Sequence, residues 1–237
     1  MFEKKIGIND YRKCMEILFL IGIAFLTFSY FGGYYLIIST IGKYSRLLER
    51  IAYVLFFCKI SGTRYCKKEF FVLLAVGILA IVTDHVSGNH RMLITVLVVA
   101  AMKNIELKKI FKVSLYSLIF TVLLLGSCSL LGFGGPVKLT QMYGREGVET
   151  RYSFGYIHPN QWAHAMFMIL LFFVMAYEEI IDWKNLLGLF IANYIVYRLS
   201  VSKTAFVAGI FLIVGVAAFR YAGRFLYVRA VKFIYLF

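Results

Sequence analysis

The stretch Ile17–Ile38, ILFLIGIAFLTFSYFGGYYLII, carries no charged side chain. A helix needs roughly 20 apolar residues to cross the hydrocarbon core of a bilayer, and this run supplies them. Arg12 and Lys13 precede it, as in a signal peptide. The run outlasts the roughly 7–15 residues of a signal h-region, however, and shows no A-x-A cleavage site. It reads as an uncleaved first span. The whole chain agrees with it. Of 237 residues, 61% are hydrophobic and 16% charged, against roughly 45–50% and 25% in a soluble domain. Mean hydropathy is +0.79. A soluble globular enzyme and a disordered chain are excluded, and an integral membrane protein is left.

Beyond it, apolar stretches bounded by charge bring the total to about eight transmembrane helices, over residues 17–38, 47–57, 70–83, 92–102, 110–131, 161–181, 186–197 and 205–219. The expected fold is an all-α, polytopic helical bundle forming one membrane domain. The shorter stretches recruit polar or snorkelling ends, or sit where the bilayer thins. Lys and Arg are denser at the N-terminus, near 59–68 and 103–112, and in the basic tail 220–237 than in the alternate loops. The positive-inside rule then puts both termini in the cytoplasm and the long loop 132–160 outside. The tail, RYAGRFLYVRAVKFIYLF, reads either as an interfacial basic amphipathic helix or as the start of a ninth span. Tyr34, Tyr35, Tyr152, Tyr156, Trp162, Trp183 and Tyr197 lie near span ends, as an interfacial aromatic belt would.

The formal net charge is +14. It is spread as flanks to apolar runs rather than as a Lys/Arg stripe, so lipid headgroups, not nucleic acid, are the expected partner. Cys14, Cys58, Cys66 and Cys128 show no C-x-x-C or zinc-site spacing and read as structural thiols. Asp84, His85 and His90 surround Ser87-Gly88-Asn89, which reads as a solvated turn before a metal site. The aspartates Asp10, Asp84 and Asp182 form no D-x-D pair, and there is no Walker loop and no G-x-G-x-x-G. No metal and no cofactor are expected. Chemistry in such a chain would draw on an already activated, lipid-borne substrate.

Charges held near the membrane carry the functional hint. Arg145, Glu146, Glu149 and Arg151 lie in the long loop, and Arg198 and Lys203 lie before the last span. Arg151 stands just before His158-Pro159-Asn160, where a helix begins with proline at its first position. The free N–H groups of that helix start, beside a guanidinium fork, make an anion site for phosphate oxygens. Alternatively, Arg151 anchors to lipid headgroups or pairs with Glu149. His158 either moves a proton near neutral pH or caps the helix. Lys203 either holds a phosphate as a point charge or is an interfacial lysine.

The stretch RYSFGYIHPNQWAHAMF, Arg151–Phe167, resembles a signature of bacterial polysaccharide polymerases of the O-antigen type, which share a superfamily with the O-antigen ligases. The family pattern is an arginine, then glycine and an aromatic, then Asn-Pro-Asn or His-Pro-Asn at the start of a span. Arg151, Gly155-Tyr156 and His158-Pro159-Asn160 follow it. Further on, the family shows Ser-Arg-Thr at the outer start of a span, where Ser202-Lys203-Thr204 stands here. Val86–Lys112 is also similar to members from Gram-positive bacteria, and the likeness covers most of residues 17–219.

The resemblance implies a metal-independent, partly GT-C-like membrane transferase in the bacterial plasma membrane. It would join oligosaccharide repeat units on undecaprenyl diphosphate at the outer leaflet, during capsule, exopolysaccharide or O-antigen assembly, alongside other glycan-assembly membrane proteins. It gives Arg151, Lys203 and His158 catalytic roles, with Arg145, Ser153, Asn160, Ser202 and Thr204 at the substrate. A ligase passing finished glycan to another acceptor fits the same motifs. Family members are longer and carry more spans, so a truncated chain without catalysis is also expected to be considered.

Overall fold

The structure, a computed structural model, describes residues 8–33, 39–88, 90–142 and 147–234, with side chains described for 10–33, 44–88, 90–142 and 147–221. Helices dominate: α1 (Ile8–Gly32), α2 (Ser39–Ser61), α3 (Lys67–Ser87), α4 (Arg91–Ala101), α5 (Leu107–Leu130), α6 (Pro159–Tyr177), α7 (Trp183–Ser200) and α8 (Lys203–Ile234). A short 3-10 turn, Glu178–Ile180, follows α6, and two strands, β1 (Lys138–Gln141) and β2 (Glu149–Tyr152), precede it. Among the described residues, five helices are long and apolar enough to cross a membrane: α1, α3, α5, α6 with its 3-10 turn, and α8 as far as Tyr221. This is the make-up of an all-α membrane protein. The eleven-residue α4 is too short to span alone.

The chain divides into two compact units. One holds residues 1–33 and 38–117, the other 34–37 and 118–237, and α5 begins in the first and ends in the second. In the first unit, α1 packs along α2 around Phe19, Ile23, Ala52 and Phe56, with Ala101 joining them from the end of α4. The rings of Phe19 and Phe56 lie 5.5 Å apart. Gly22 permits this approach, because a Cβ there would sit 2.6 Å from Cε1 of Phe56. Nearer the other end, Ser29 and Ser45 each donate a hydroxyl to the other's carbonyl at 2.8 Å. Such paired bonds satisfy polar groups that an apolar surrounding would penalise.

Helix α3 begins at Cys66, whose N–H is accepted by Glu69 Oε2 at 2.8 Å, and Glu69 also pairs with Lys103. It stops at Gly88, which takes the left-handed φ of 64° that glycine tolerates. Between these ends, Phe70, Phe71, Val72, Leu74, Ile78, Leu79, Ile81 and Val82 are all exposed, and Ala80 alone of the helix is buried. A helix apolar on every side and uncovered is one suited to lipid as its solvent. Where the sequence invited a metal reading, Asp84 Oδ1 and His90 Nδ1 meet at 2.6 Å across the α3–α4 turn. Asn89 lies outside the described residues, as do Tyr34 and Tyr35.

In the second unit, α6, α7 and α8 pack pairwise around Val174, Ile181, Leu186, Leu189 and Ile213. Asp182 caps α7, its Oδ1 accepting the N–H of Asn185 at 2.8 Å. The turn Val201–Ser202 between α7 and α8 is too short for anything but an antiparallel return. The start of α6, the end of α7 and the start of α8 therefore share one end of this bundle.

Several expected limits shift. The second span, expected at 47–57, belongs to a helix running from Ser39 to Ser61. The long loop is not irregular throughout, because β1 and β2 form an antiparallel hairpin within it, pairing Lys138 with Tyr152 and Gln141 with Glu149. The eighth span, expected at 205–219, falls within the apolar part of α8, Lys203–Tyr221. The helix itself has 32 residues, about 48 Å at 1.5 Å per residue, and runs on without a break through Arg220 to Ile234.

Candidate functional site

The hairpin puts alternate residues of β2 on one face. Glu149 and Arg151 share that face, and the Arg151 guanidinium gives Nε at 2.9 Å and Nη2 at 2.5 Å to Glu149 Oε2. The Arg151 side chain is only 5% exposed, and that of Glu149 32%. A guanidinium this buried needs a counter-charge. The sequence offered this ion pair as one alternative for Arg151, and it is present. β2 packs against α7.

Beyond β2 the chain is clipped to the segment before β1. The N–H groups of Ser153 and Phe154 both donate to Val137 O, at 2.8 and 3.1 Å. The Ser153 hydroxyl and the Gly155 N–H both donate to Pro136 O at 3.1 Å. Ser153 is fully buried by these contacts. The chain then turns through two left-handed residues, Phe154 at φ 45° and Gly155 at φ 85°. Glycine takes this conformation freely; an aromatic residue does so at a cost. The turn stacks Phe154 against Tyr152 at 5.7 Å and brings it within 4.7 Å of Trp162, while Lys138 Nζ lies 4.8 Å over the Tyr152 ring. Tyr156 is fully buried and Trp162 nearly so. Two of the aromatics expected in an interfacial belt thus pack inside the unit, whereas Trp183 is exposed.

His158 is extended at φ −144°, ψ 140° and forms the N-cap of α6. Pro159 at the first helical position has no N–H to offer. His158 Nδ1 accepts instead from the N–H of Asn160, at 3.1 Å. The imidazole is pushed below its ordinary value of about 6.5 by partial burial, then by the positive charge of Arg151. Arg151 and His158 are thus close enough to influence each other.

At the same end of the bundle, Ser200 is buried and donates its hydroxyl to Val196 O at 2.8 Å, while accepting the Ser202 N–H at 3.2 Å. Val201 between them is left-handed at φ 54°, which a β-branched side chain resists. Ser202 is buried, whereas Lys203 and Thr204 stand exposed at the start of α8. Asn160 is exposed at the start of α6. Arg145 and Glu146 lie outside the described residues.

His158 and Asn160 are joined by the α6 cap, Arg151 lies within electrostatic reach of His158, and the Ser202–Lys203–Thr204 helix start shares the bundle end at which α6 begins. The structure buries Ser153 and Ser202 in turns. Sequence reasoning did not single out Ser200 or Phe154, whose only signals are their places beside a turn. Among the described residues, no three His, Cys, Asp or Glu side chains gather as metal ligands do. Arg151 is engaged by Glu149 and the Asn160 N–H by His158, while Lys203 stands exposed at the start of α8. No protein-family model, curated protein or solved structure matches this chain.

Proposed function

We propose that the chain is a membrane glycosyltransferase that joins oligosaccharide repeat units carried on undecaprenyl diphosphate, as the O-antigen-type polymerases it resembles do. In this proposal about eight spans of a partly GT-C-like bundle lie in a bacterial plasma membrane, with both termini cytoplasmic and the β1–β2 hairpin at the outer leaflet. A hydroxyl oxygen of one unit attacks the anomeric carbon of the next. The bond from that carbon to the diphosphate oxygen breaks, and its electron pair leaves with the lipid diphosphate. The proton released by the hydroxyl balances the charge the diphosphate gains.

What supports this most is a buried guanidinium, Arg151, within electrostatic reach of His158 at the capped start of α6, with Lys203 exposed at the start of α8 at the same end of the bundle. Fixed cations and helix N-termini aimed at a leaving diphosphate stabilise its developing charge without reorganising. Strained left-handed residues at Phe154 and Val201 flank both halves of this arrangement, and strain of that kind gathers at functional sites. The test is polymer formation in membranes from lipid-linked repeat units. Arg151→Ala is expected to abolish polymer while leaving membrane insertion intact, and normal polymer length in that variant overturns the proposal.

A non-catalytic membrane role is favoured by one observation: Arg151 is already engaged by Glu149 and almost closed to solvent. For the polymerase proposal to hold, a phosphate oxygen of the substrate must take over from Glu149 Oε2.

A further inference from the structure

We infer that His158 is held as the neutral tautomer with its proton on Nε2, and serves the site as a hydrogen-bond donor, not as the base that takes the acceptor hydroxyl's proton. The donor role rests on the polymerase proposal; the tautomer does not.

Pro159 sets the constraint on the cap. A proline at the first helical position removes one of the free N–H groups of α6, so the cap must meet the next, that of Asn160. His158 meets it with Nδ1 at 3.1 Å. A backbone N–H only donates, so Nδ1 must present a lone pair. A neutral imidazole with its lone pair on Nδ1 carries its hydrogen on Nε2. An imidazolium has no lone pair at all. It would set two N–H groups against each other, at the positive end of the α6 dipole. The charged groups on the adjoining strand are Arg151 and its partner Glu149. Partial burial and the Arg151 charge oppose protonation as well.

With Nδ1 committed to the helix, any engagement of substrate falls to Nε2, which bears a hydrogen. It suits an oxygen of the departing diphosphate, next to Arg151. It does not suit removal of a proton from a hydroxyl, which needs the other tautomer and a broken cap.

The test uses the full chain in lipid nanodiscs, labelled with 15N-histidine. There are four histidines, and the His158 signals are those missing from His158→Asn. Asparagine caps helices well, so that variant keeps the α6 start. At neutral pH the expected signals are a protonated Nε2 and a bare Nδ1. A protonated Nδ1, or an imidazolium at pH 7, overturns the tautomer. In the polymer assay, His158→Gln, whose amide N–H reaches the Nε2 position, is expected to keep activity within about tenfold. His158→Asn, which caps but cannot reach, should lose about a hundredfold, the usual cost of one transition-state donor. Equal loss in both variants, with a wild-type rate that falls as pH drops through the His158 titration, identifies a base and overturns the donor role. Wild-type rates in both overturn it too. Normal polymer from Arg151→Ala removes the polymerase proposal instead, and the nitrogen signals still decide the tautomer.

Discussion

Arg151 and Glu149 stand two residues apart on one face of β2, and both Nε and Nη2 of the arginine converge on the single oxygen Oε2 of the glutamate. The pair is lopsided. The arginine is almost fully buried, while the glutamate keeps a third of its side chain in contact with solvent. Removing one member of a buried pair costs most when the member left behind is the deeper one. Glu149→Ala is therefore expected to destabilise the second unit by about 1–3 kcal/mol, less than the roughly 3–5 kcal/mol of a wholly buried pair. Arg151→Met leaves only a partly hydrated carboxylate and should cost less. Thermal unfolding of the two variants in detergent measures the order. A larger loss from Arg151→Met would show that the arginine's stem, not its charge, holds the hairpin.

The cap on α6 makes stability depend on pH with a defined sign. The folded state holds His158 below its ordinary value of about 6.5. The unfolded chain therefore binds a proton that the folded chain refuses, and stability rises with pH across that interval. The contribution is full above the ordinary value and is lost as pH falls through the lowered one. His158→Asn retains the cap without a titrating ring. The difference in melting temperature between wild type and this variant should thus grow in the variant's favour as pH drops from 8 to 5. A difference independent of pH would mean that His158 does not titrate with folding.

The long helices were legible because nothing interrupts their apolar runs: α5 was expected over 110–131 and occupies Leu107–Leu130. The start of α6 was legible from Pro159, which fits the first turn of a helix and little else. Helix α2 was legible only in part. Lys43, Arg46, Glu49 and Arg50 break the apolar run without breaking the helix, so a rule based on hydropathy stops short of Ser39. The end of α8 was hidden for the same reason: the apolar stretch ends near Tyr221, and the helix runs on past Arg220 and Arg224 to Ile234. The hairpin was hidden because its strands have four residues each and pair across the loop, a non-local bond that a local pattern does not encode. Of the site, the residue types were legible, but the burial of Arg151 and Ser153 was not. It depends on the clip of Ser153–Gly155 onto Pro136 and Val137.

Close packing of α7 on α8 turns on Gly209. A Cβ there would lie 2.4 Å from Asn193 Oδ1. Asn193 cannot swing aside freely, because it is buried and its Nδ2 donates to Phe206 O at 3.0 Å. Gly209→Ala should therefore destabilise the unit by about 1–3 kcal/mol, the usual cost of overpacking. In an Asn193→Ala background the clash is gone and the same change should be nearly neutral. The two substitutions are in contact, so a double-mutant cycle is expected to show strong non-additivity. Additive losses would indicate that α7 and α8 pack through other residues.

The proposed chemistry needs Arg151 and Lys203 on the same side of the bilayer, and the bundle supplies a way to check. Helix α6 separates the hairpin from the 3-10 turn, and α7 brings the chain back. Thr140 on β1 and Thr204 on α8 should therefore face one side and Lys184 at the start of α7 the other; all three are exposed. Cys14, Cys58 and Cys66 are free and exposed and Cys128 is free, so they are first replaced by serine. In that background, Thr140→Cys and Thr204→Cys are expected to react with an impermeant maleimide added to intact cells. Lys184→Cys should react only once the membrane is opened. Reaction of Thr140→Cys and Thr204→Cys from opposite sides would mean that α6 and α7 do not both cross, and the two cations could not meet one diphosphate. Reaction of both only after opening would put the site in the cytosol, where a lipid diphosphate displayed on the outer leaflet is out of reach.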